Sequence, residues 1–525
     1  MTYRIGNASG FYGDRLSAMR EMLSGGPLDA LTGDYLAELT MLILGKDQLK
    51  NPSLGYARTF VRQAEDCLGL ALEQGVRIVT NAGGLNPRGL GDRLAEVAGG
   101  LGLAPGIAYV DGDDLRGDLD VLGLVDERLG RPLTANAYLG AAAIAEALRD
   151  GADVVVTGRV TDASLVVGPA LAHFGWSLSE SADPADRDAL AGATVAGHVI
   201  ECGTQATGGN FSGFVDLTAA SRARPLGFPI AELEADGSCV ITKHEGTGGV
   251  VTVETVTAQL MYEVQGPAYL GPDVTTHLDS IELADAGPDR VAISGVRGSA
   301  PPASLKVCLN FLGGYRNSAE LVVVGLDLED KAAWARAQVE AALDASPTGR
   351  PAEVEWSLAR TDRADADSEE AASSRLRVTV RDADAAVVDR AFTAPLVELA
   401  LGSYPGFTLT ATPAPATPYA VYRAGFVPRD ALPAGAAGTV HHLTKAERPD
   451  SHQVSRRVVR DGPVRSEGSE RAEGASGSGE DRSSAAAGPA GPPPSPPKRT
   501  YEHPGGTSQL PGGASQLPGG ASRRM

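Results

Sequence analysis

The densest run of chemically capable side chains in this sequence is His198-Val-Ile-Glu201-Cys202, which opens into the glycine-bearing stretch Gly203-Thr-Gln-Ala-Thr-Gly-Gly-Asn210. On a helix, His198 and Glu201 stand three residues apart and share a face, with Cys202 at the start of the loop. Four readings fit: a cysteine nucleophile activated by histidine, a His/Glu/Cys metal site, a core helix end carrying an inert buried thiol, or substrate binding without covalent chemistry. Asp34 and Glu38 stand four apart at a helix start, where they could form an acid/base pair or metal ligands, or simply complement the helix dipole. Asp111, Asp113 and Asp114 offer carboxylate oxygens suited to Mg²⁺, although an acidic solvated turn has the same sequence. Arg159 supplies a planar fork for a carboxylate or phosphate and Asp162 a base, unless the two pair with each other. Lys243-His244-Glu245 ends a strand beside a flexible glycine loop and is expected to form a second wall of the cleft, a polar hairpin turn being the alternative.

These residues need a frame. The first 235 residues repeat one theme, a short β-type apolar run, then a loop rich in Gly, Asn or Asp, then a longer helical pattern, which is the signature of parallel βαβ units. The expected strands are 3–6, 28–31, 76–80, 107–110 and 154–157, with helices over 35–45, 57–74, 90–101, 137–149 and 162–174. In an open parallel sheet, ligands bind beyond the carboxyl ends of the strands. All five expected strands run into polar, glycine-bearing loops. Helix capping needs one side chain per helix and these loops carry several each, so their convergence argues for a binding site. The first loop, with Gly6, Gly10 and Gly13, is spaced GxxxGxxG and not GxGxxG, which argues against NAD or FAD.

From about 236 the texture changes to alternating β-branched segments, expected as strands at 239–243, 250–256 and 291–294. Strand, helix, two strands, helix and a last strand near 407–410 then follow in the β-α-β-β-α-β order of a ferredoxin-like unit. After about 443 Ser, Gly, Pro, Arg and Glu take over, and such a segment buries too little apolar surface to offset its chain entropy. The expected organisation is therefore a parallel α/β domain over 1–235, a strand-rich α+β domain over 236–440 and a disordered low-complexity tail over 441–525.

The chain has 525 residues, 42% of them hydrophobic, and a formal net charge of −20. That charge argues against nucleic acid, whose backbone needs a field of Lys and Arg. Cys67, Cys202, Cys239 and Cys308 lie far apart, so reduced thiols are expected. With neither a leader-like N-terminus nor a membrane-length apolar stretch, the expected address is cytoplasmic.

The same segments resemble the acyclic terpene utilisation (AtuA-like) proteins. The resemblance rests on Ile5-Gly-Asn7-Ala-Ser9-Gly-Phe-Tyr-Gly-Asp14, Gly33-Asp-Tyr-Leu-Ala-Glu38, Asn81-Ala-Gly-Gly-Leu-Asn86-Pro87, Tyr109-Val-Asp-Gly-Asp-Asp114 and Asn136-Ala-Tyr138-Leu-Gly140. It continues through Thr157-Gly-Arg-Val-Thr-Asp162, Gly197-His-Val-Ile-Glu-Cys-Gly203, Thr207-Gly-Gly-Asn-Phe211, Ile241-Thr-Lys-His244 and Val296-Arg-Gly298, spanning about 3–425. It implies a bacterial protein of acyclic terpene or branched-acid degradation, encoded beside acyl-CoA enzymes. It supplies a pathway and no catalytic roles. Longer members carry a small C-terminal domain where this chain has its low-complexity tail.

Residues and resemblance together predict an enzyme acting on a branched or isoprenoid acyl-CoA, of lyase, hydratase or hydrolase type. Asp34, Glu38, Arg159, Asp162, His198, Glu201 and Cys202 are the catalytic candidates. Asn7, Ser9, Asn81, Asn86, Asp111, Asn136, Tyr138, Asn210, Lys243 and His244 are expected to bind substrate. The alternatives are a non-catalytic subunit serving an acyl-CoA carboxylase or hydratase, and a hydrolase using a divalent metal on Asp111–Asp114 or His198/Glu201. Apolar helices with few aromatics are compatible with a homo-oligomer.

Overall fold

Short runs of four or five residues, mostly apolar in all but β5, form the strands β1 (Tyr3–Asn7), β2 (Ala30–Gly33), β3 (Arg77–Thr80), β4 (Ile107–Asp111), β5 (Thr134–Ala137) and β6 (Val154–Thr157). In the computed structural model, which describes residues 2–445 apart from 180, 181, 265, 434, 436 and 437, five of them lie in the order β1-β2-β3-β6-β4. Every pairing among these five is parallel. The tail expected from 441 falls, from 446 on, outside the described residues.

The helices α1 (Ala18–Gly25), α2 (Glu38–Lys50), α3 (Arg58–Gln74), α4 (Pro87–Gly100), α5 (Ala142–Arg149), α6 (Ser164–Phe174) and α7 (Pro184–Ile200) connect and cover the strands. Met19, Phe60 and Leu94 of α1, α3 and α4 pack with Leu31, Ile78 and Val156 of the sheet. Val166 of α6 and Ala193 and Val199 of α7 pack with Ile5, Ala30 and Ile241 in a second cluster. Strands buried on both faces read as continuous apolar runs, which is why Val154-Val-Val156 shows no alternation.

The sheet continues past β1 with antiparallel β7 (Pro229–Leu233) and β8 (Cys239–Lys243). Next come a hairpin of β9 (Ala268–Leu270) and β10 (Thr275–His277), then β11 (Glu282–Asp285), β12 (Val291–Ser294) and β13 (Arg297–Ser299). β12 and β11 extend the main sheet beyond β8, so strands from both sides of residue 235 share it.

The 21-residue strand β14 (Ser304–Val324) ties the molecule together. Its second half joins β15 (Glu353–Ala359), β16 (Ser373–Asp382) and β17 (Thr408–Leu409) in the order β15-β16-β14-β17, with the helices Leu328–Asp344 and Arg390–Gly402 packed on it through Val339 and Phe392. That is the ferredoxin-like arrangement. Its first half pairs with β18 (Thr417–Pro428) on one side and β5 on the other, which brings Lys306 beside the parallel sheet. β19 (Thr439–His442) closes the main sheet against β4. Among the described residues no helix is long and apolar enough to cross a membrane.

Two elements differ from expectation. Val250–Val256, read as a strand from its β-branched residues, instead opens the helix Val253–Met261, because Thr252 and Thr255 exchange side-chain and backbone bonds as a capping box. The helix α7 escapes the amphipathic pattern because it is buried from Ala189 to Ile200 and so shows no polar face. Its glycines permit close packing: a Cβ on Gly192 would sit 2.1 Å from the Gly237 carbonyl oxygen.

Candidate functional site

A cleft of about 500 Å³ opens at the carboxyl ends of β1, β2 and β6. The loop after β2 contributes Asp34 and Glu38, the loop after β6 contributes Arg159 and Asp162, and the end of α7 contributes Glu201 and Cys202. Gly10, from the loop after β1, completes this side. A Cβ there would lie 2.5 Å from the Cys202 carbonyl carbon, so this glycine serves contact between the loop and the end of α7.

Each acid is held by a neighbour buried behind it. Asp34 Oδ1 accepts from Asn81 Nδ2 at 2.6 Å and from the Leu36 amide at 3.1 Å, while Asn81 Oδ1 takes the Tyr35 amide. Burial, with the charges of Asp162 and Glu201 nearby, holds the Asp34 carboxyl well above the usual range. Arg159 is anchored from below by Asp113, whose Oδ2 accepts from the Arg159 amide and from Asn136 Nδ2, both at 2.8 Å. Burial pushes Asp113 up to about 7. A Cβ on Gly158 would meet Asp113 Oδ1 at 2.3 Å, so only glycine lets the loop close over this acid.

The Arg159 guanidinium donates to the Leu36 carbonyl at 2.7 Å, pairs with Asp162 at 3.0 Å and lies 4.3 Å from the Tyr138 ring centre. Burial opposes its charge, but Asp162, Tyr138, Asp34 and Glu38 outweigh burial and keep it protonated. Its Nε is buried with no acceptor. Tyr138 donates its hydroxyl to Glu38 at 2.8 Å, and Lys306 of β14 stands 3.7 Å from the same carboxylate. Burial raises Asp162, Arg159 lowers it, and Glu263 and Glu38 add to the rise, so the net shift is upward.

At the far end, His198 and Glu201 form the contact that their spacing predicts: Nδ1 to Oε1 is 3.0 Å, and His198 Nε2 lies 3.3 Å from the Leu260 carbonyl. Burial pushes Glu201 up to about 7, against the pull of His198. Glu201 Oε2 is buried and has no hydrogen-bond partner. Cys202 Sγ sits 2.8 Å from the Tyr262 hydroxyl, not on His198. Burial and the Glu201 charge raise this thiol, the opposite of nucleophile activation.

The remaining expected residues divide. Asn7 Nδ2 donates to the carbonyls of Ile200 and Glu201 at 2.7 and 2.8 Å, fixing the end of α7 from β1. Ser9 is buried and donates to the Phe11 carbonyl within its own loop. Asn86 caps α4 through the Gly89 amide. Asp111 faces His441 of β19 and Asp114 pairs with Arg116, so Asp111, Asp113 and Asp114 turn to different partners. Asn210 follows the short helix Gly203–Thr207 in a left-handed conformation and does not line the cleft.

Lys243 and His244, expected as the second wall, lie outside it. Lys243 pairs with Asp289 at 3.0 Å and His244 Nε2 meets the Met22 carbonyl at 2.9 Å, because β8 buries both between the sheet and neighbouring loops. The wall comes instead from Tyr262 and Glu263 after the helix Val253–Met261, from Tyr269 and Pro272 of the β9–β10 hairpin, and from Pro302 and Ser304–Lys306 at and just before the start of β14. Nothing in local spacing marks these residues; their proximity is set by the sheet order.

The arrangement offers two cations, Arg159 and Lys306, beside Asp34, Asp162 and Glu201, whose proton affinity burial raises, and Glu38, whose affinity its hydrogen bonds lower against the effect of burial. It can bind an anionic or polarised oxygen and exchange protons with the carbon skeleton attached to it.

The family model for acyclic terpene utilisation family protein AtuA matches residues 3–437, the stretch that holds every residue of the cleft. No curated protein matches the chain.

Proposed function

The chain belongs to the acyclic terpene utilisation family AtuA, and from that premise we propose that it is a cytoplasmic catabolic enzyme acting on a branched, acyclic-terpene-derived acyl-CoA. The reaction class is lyase, hydratase or hydrolase, carried out in the cleft at the carboxyl ends of the parallel strands. The observation that supports this is the convergence of Asp34, Asp162 and Glu201, all with raised proton affinity, on the charged Arg159.

A thioester acidifies the carbon beside its carbonyl, and hydration, dehydration or carbon–carbon cleavage there needs a donor for the carbonyl oxygen and a group that moves a proton. Arg159, with an Nε that lacks a protein acceptor, and Lys306 are the donors. Asp34, its proton affinity raised by burial and its carboxyl fixed by Asn81, is the proton donor. Glu38 and the Tyr138 ring set the position of Lys306, and the same ring stacks under Arg159.

The test is turnover of branched and straight-chain acyl-CoAs by the full chain and by Asp34→Asn. The wild type should convert branched thioesters and Asp34→Asn should lose at least about 10²-fold in rate. Equal turnover by both removes Asp34 from the chemistry, and stabilisation by acyl-CoA without turnover makes the cleft a binding site of a non-catalytic subunit.

A further inference from the structure

The far end of the cleft contains three groups to which the proposed proton transfer from Asp34 gives no separate role. A ring nitrogen of His198 and carboxylate oxygens of Glu201 and Glu263 all lie within 4.8 Å of one another. We propose that these three side chains bind a divalent cation of the Mn²⁺ or Zn²⁺ type, with its remaining positions open to the cleft. Ion binding stands on its own geometry, and its use in catalysis rests on the cleft being the reactive site.

Four observations carry it. First, His198 Nε2 lies 3.3 Å from the Leu260 carbonyl and Nδ1 lies 3.0 Å from Glu201 Oε1, so with the proton on Nε2 it is the Nδ1 lone pair that faces the acids. A carbonyl fixing the distal nitrogen is the usual support of a metal-binding histidine. Second, Glu201 is only 5% exposed, yet its Oε2 has no hydrogen-bond partner. A buried carboxylate oxygen left unpaired is costly, and a cation removes that cost.

Third, Glu263 is oriented by a hydrogen bond from the Tyr262 hydroxyl, on the side of the cleft facing Glu201. Fourth, acids outnumber permanent cations along the cleft: Asp34, Glu38, Asp162, Glu201 and Glu263 line it with Arg159 and Lys306. A divalent ion offsets that excess where the pairing is poorest.

Ligands about 2.1 Å from a common ion lie about 3.0–3.4 Å apart in octahedral or tetrahedral geometry, so a pair near the 4.8 Å limit closes by about 1.5 Å on binding. The exposed Glu263 can supply that movement. One imidazole with two carboxylates suits Mn²⁺ or Zn²⁺ better than Ca²⁺, which prefers six or more oxygens. The open positions would let the ion polarise a carbonyl or carboxylate oxygen of the substrate.

The experiment uses the full chain, stripped with chelator and titrated calorimetrically with MnCl₂ and with ZnCl₂, alongside Glu263→Gln and Glu201→Gln. The expected result is saturable binding of about one equivalent by the wild type. Glu263→Gln, altered at an exposed position, should keep the wild-type melting temperature and bind roughly tenfold or more weakly. Absence of saturable binding, or wild-type affinity in both variants, overturns the site. An ion bound with no effect of any acyl-CoA keeps this inference and rejects the enzymatic reading; acyl-CoA turnover without ion binding does the reverse.

Discussion

Asn7 is the residue through which β1 holds the reactive end of α7, and replacing it measures that link. Its amide donates to the carbonyls of Ile200 and Glu201, which lie at the helix end where no further turn can satisfy them. Asn7→Leu keeps the volume and removes both donors. An unpaired buried carbonyl costs about 1–3 kcal/mol; with some relief from cleft water at Glu201, the pair should cost about 2–4 kcal/mol. Unfolding entropy near 2.1 cal/mol/K per residue over roughly 440 residues gives close to 1 °C per kcal/mol, so the melting temperature should fall about 2–4 °C. Asn7→Asp adds a sign. Its carboxylate would face two carbonyl oxygens, so its folded-state pKa rises, and the stability present at low pH is lost as pH climbs through that raised value. Scanning calorimetry from pH 5 to 8 on both variants is the assay. A melting temperature for Asn7→Leu within 1 °C of wild type, or an Asn7→Asp curve parallel to it across pH, refutes the clamp.

Other residues give shorter tests. Arg159→Lys cannot reach both the Leu36 carbonyl and Asp162, so turnover of a branched thioester should drop about 10²-fold; retained turnover would remove the fork from the account. Cys202→Ala should keep most of the activity, since the thiol is held protonated against Tyr262, and a loss of about 10³-fold would reinstate a thiolate nucleophile. Asp113 is raised by burial to about 7, so wild-type stability should decline relative to Asp113→Asn as pH rises from about 4 toward 7, by up to about 1.4 kcal/mol per unit. Thermal unfolding of the two proteins across that window checks it, and curves that stay parallel contradict the buried acid.

What could be read in advance was local. Asp34, Arg159 and Asp162 follow strands whose apolar runs are unmistakable, and the rule that ligands gather at strand carboxyl ends places them together. The three-residue spacing of His198 and Glu201 likewise forecasts their contact on α7. The polar residues beside them were harder to sort, because a buried asparagine that clamps a helix end and one that binds a ligand look the same in sequence. Asn7, Asn81 and Asn136 all hold other site residues. Thr134–Ala137 is a strand that no expected strand covers, its last residue falling in the helix expected over 137–149, because its partner strand, β14, lies some 170 residues away. The same distance hides Lys306, Tyr269 and Glu263, whose place in the wall depends on long-range pairing and a hairpin with no chemical signature of its own.

The most direct measurement is the melting temperature of the full chain with and without an acyl-CoA carrying a branched acyclic isoprenoid chain, compared with Arg159→Met. At about a hundredfold excess over the dissociation constant, binding adds about 2.7 kcal/mol, or roughly 3 °C at this chain length. The wild type should gain that shift and Arg159→Met should gain little of it. No shift in the wild type, or the same shift in both proteins, would contradict a thioester site built around Arg159.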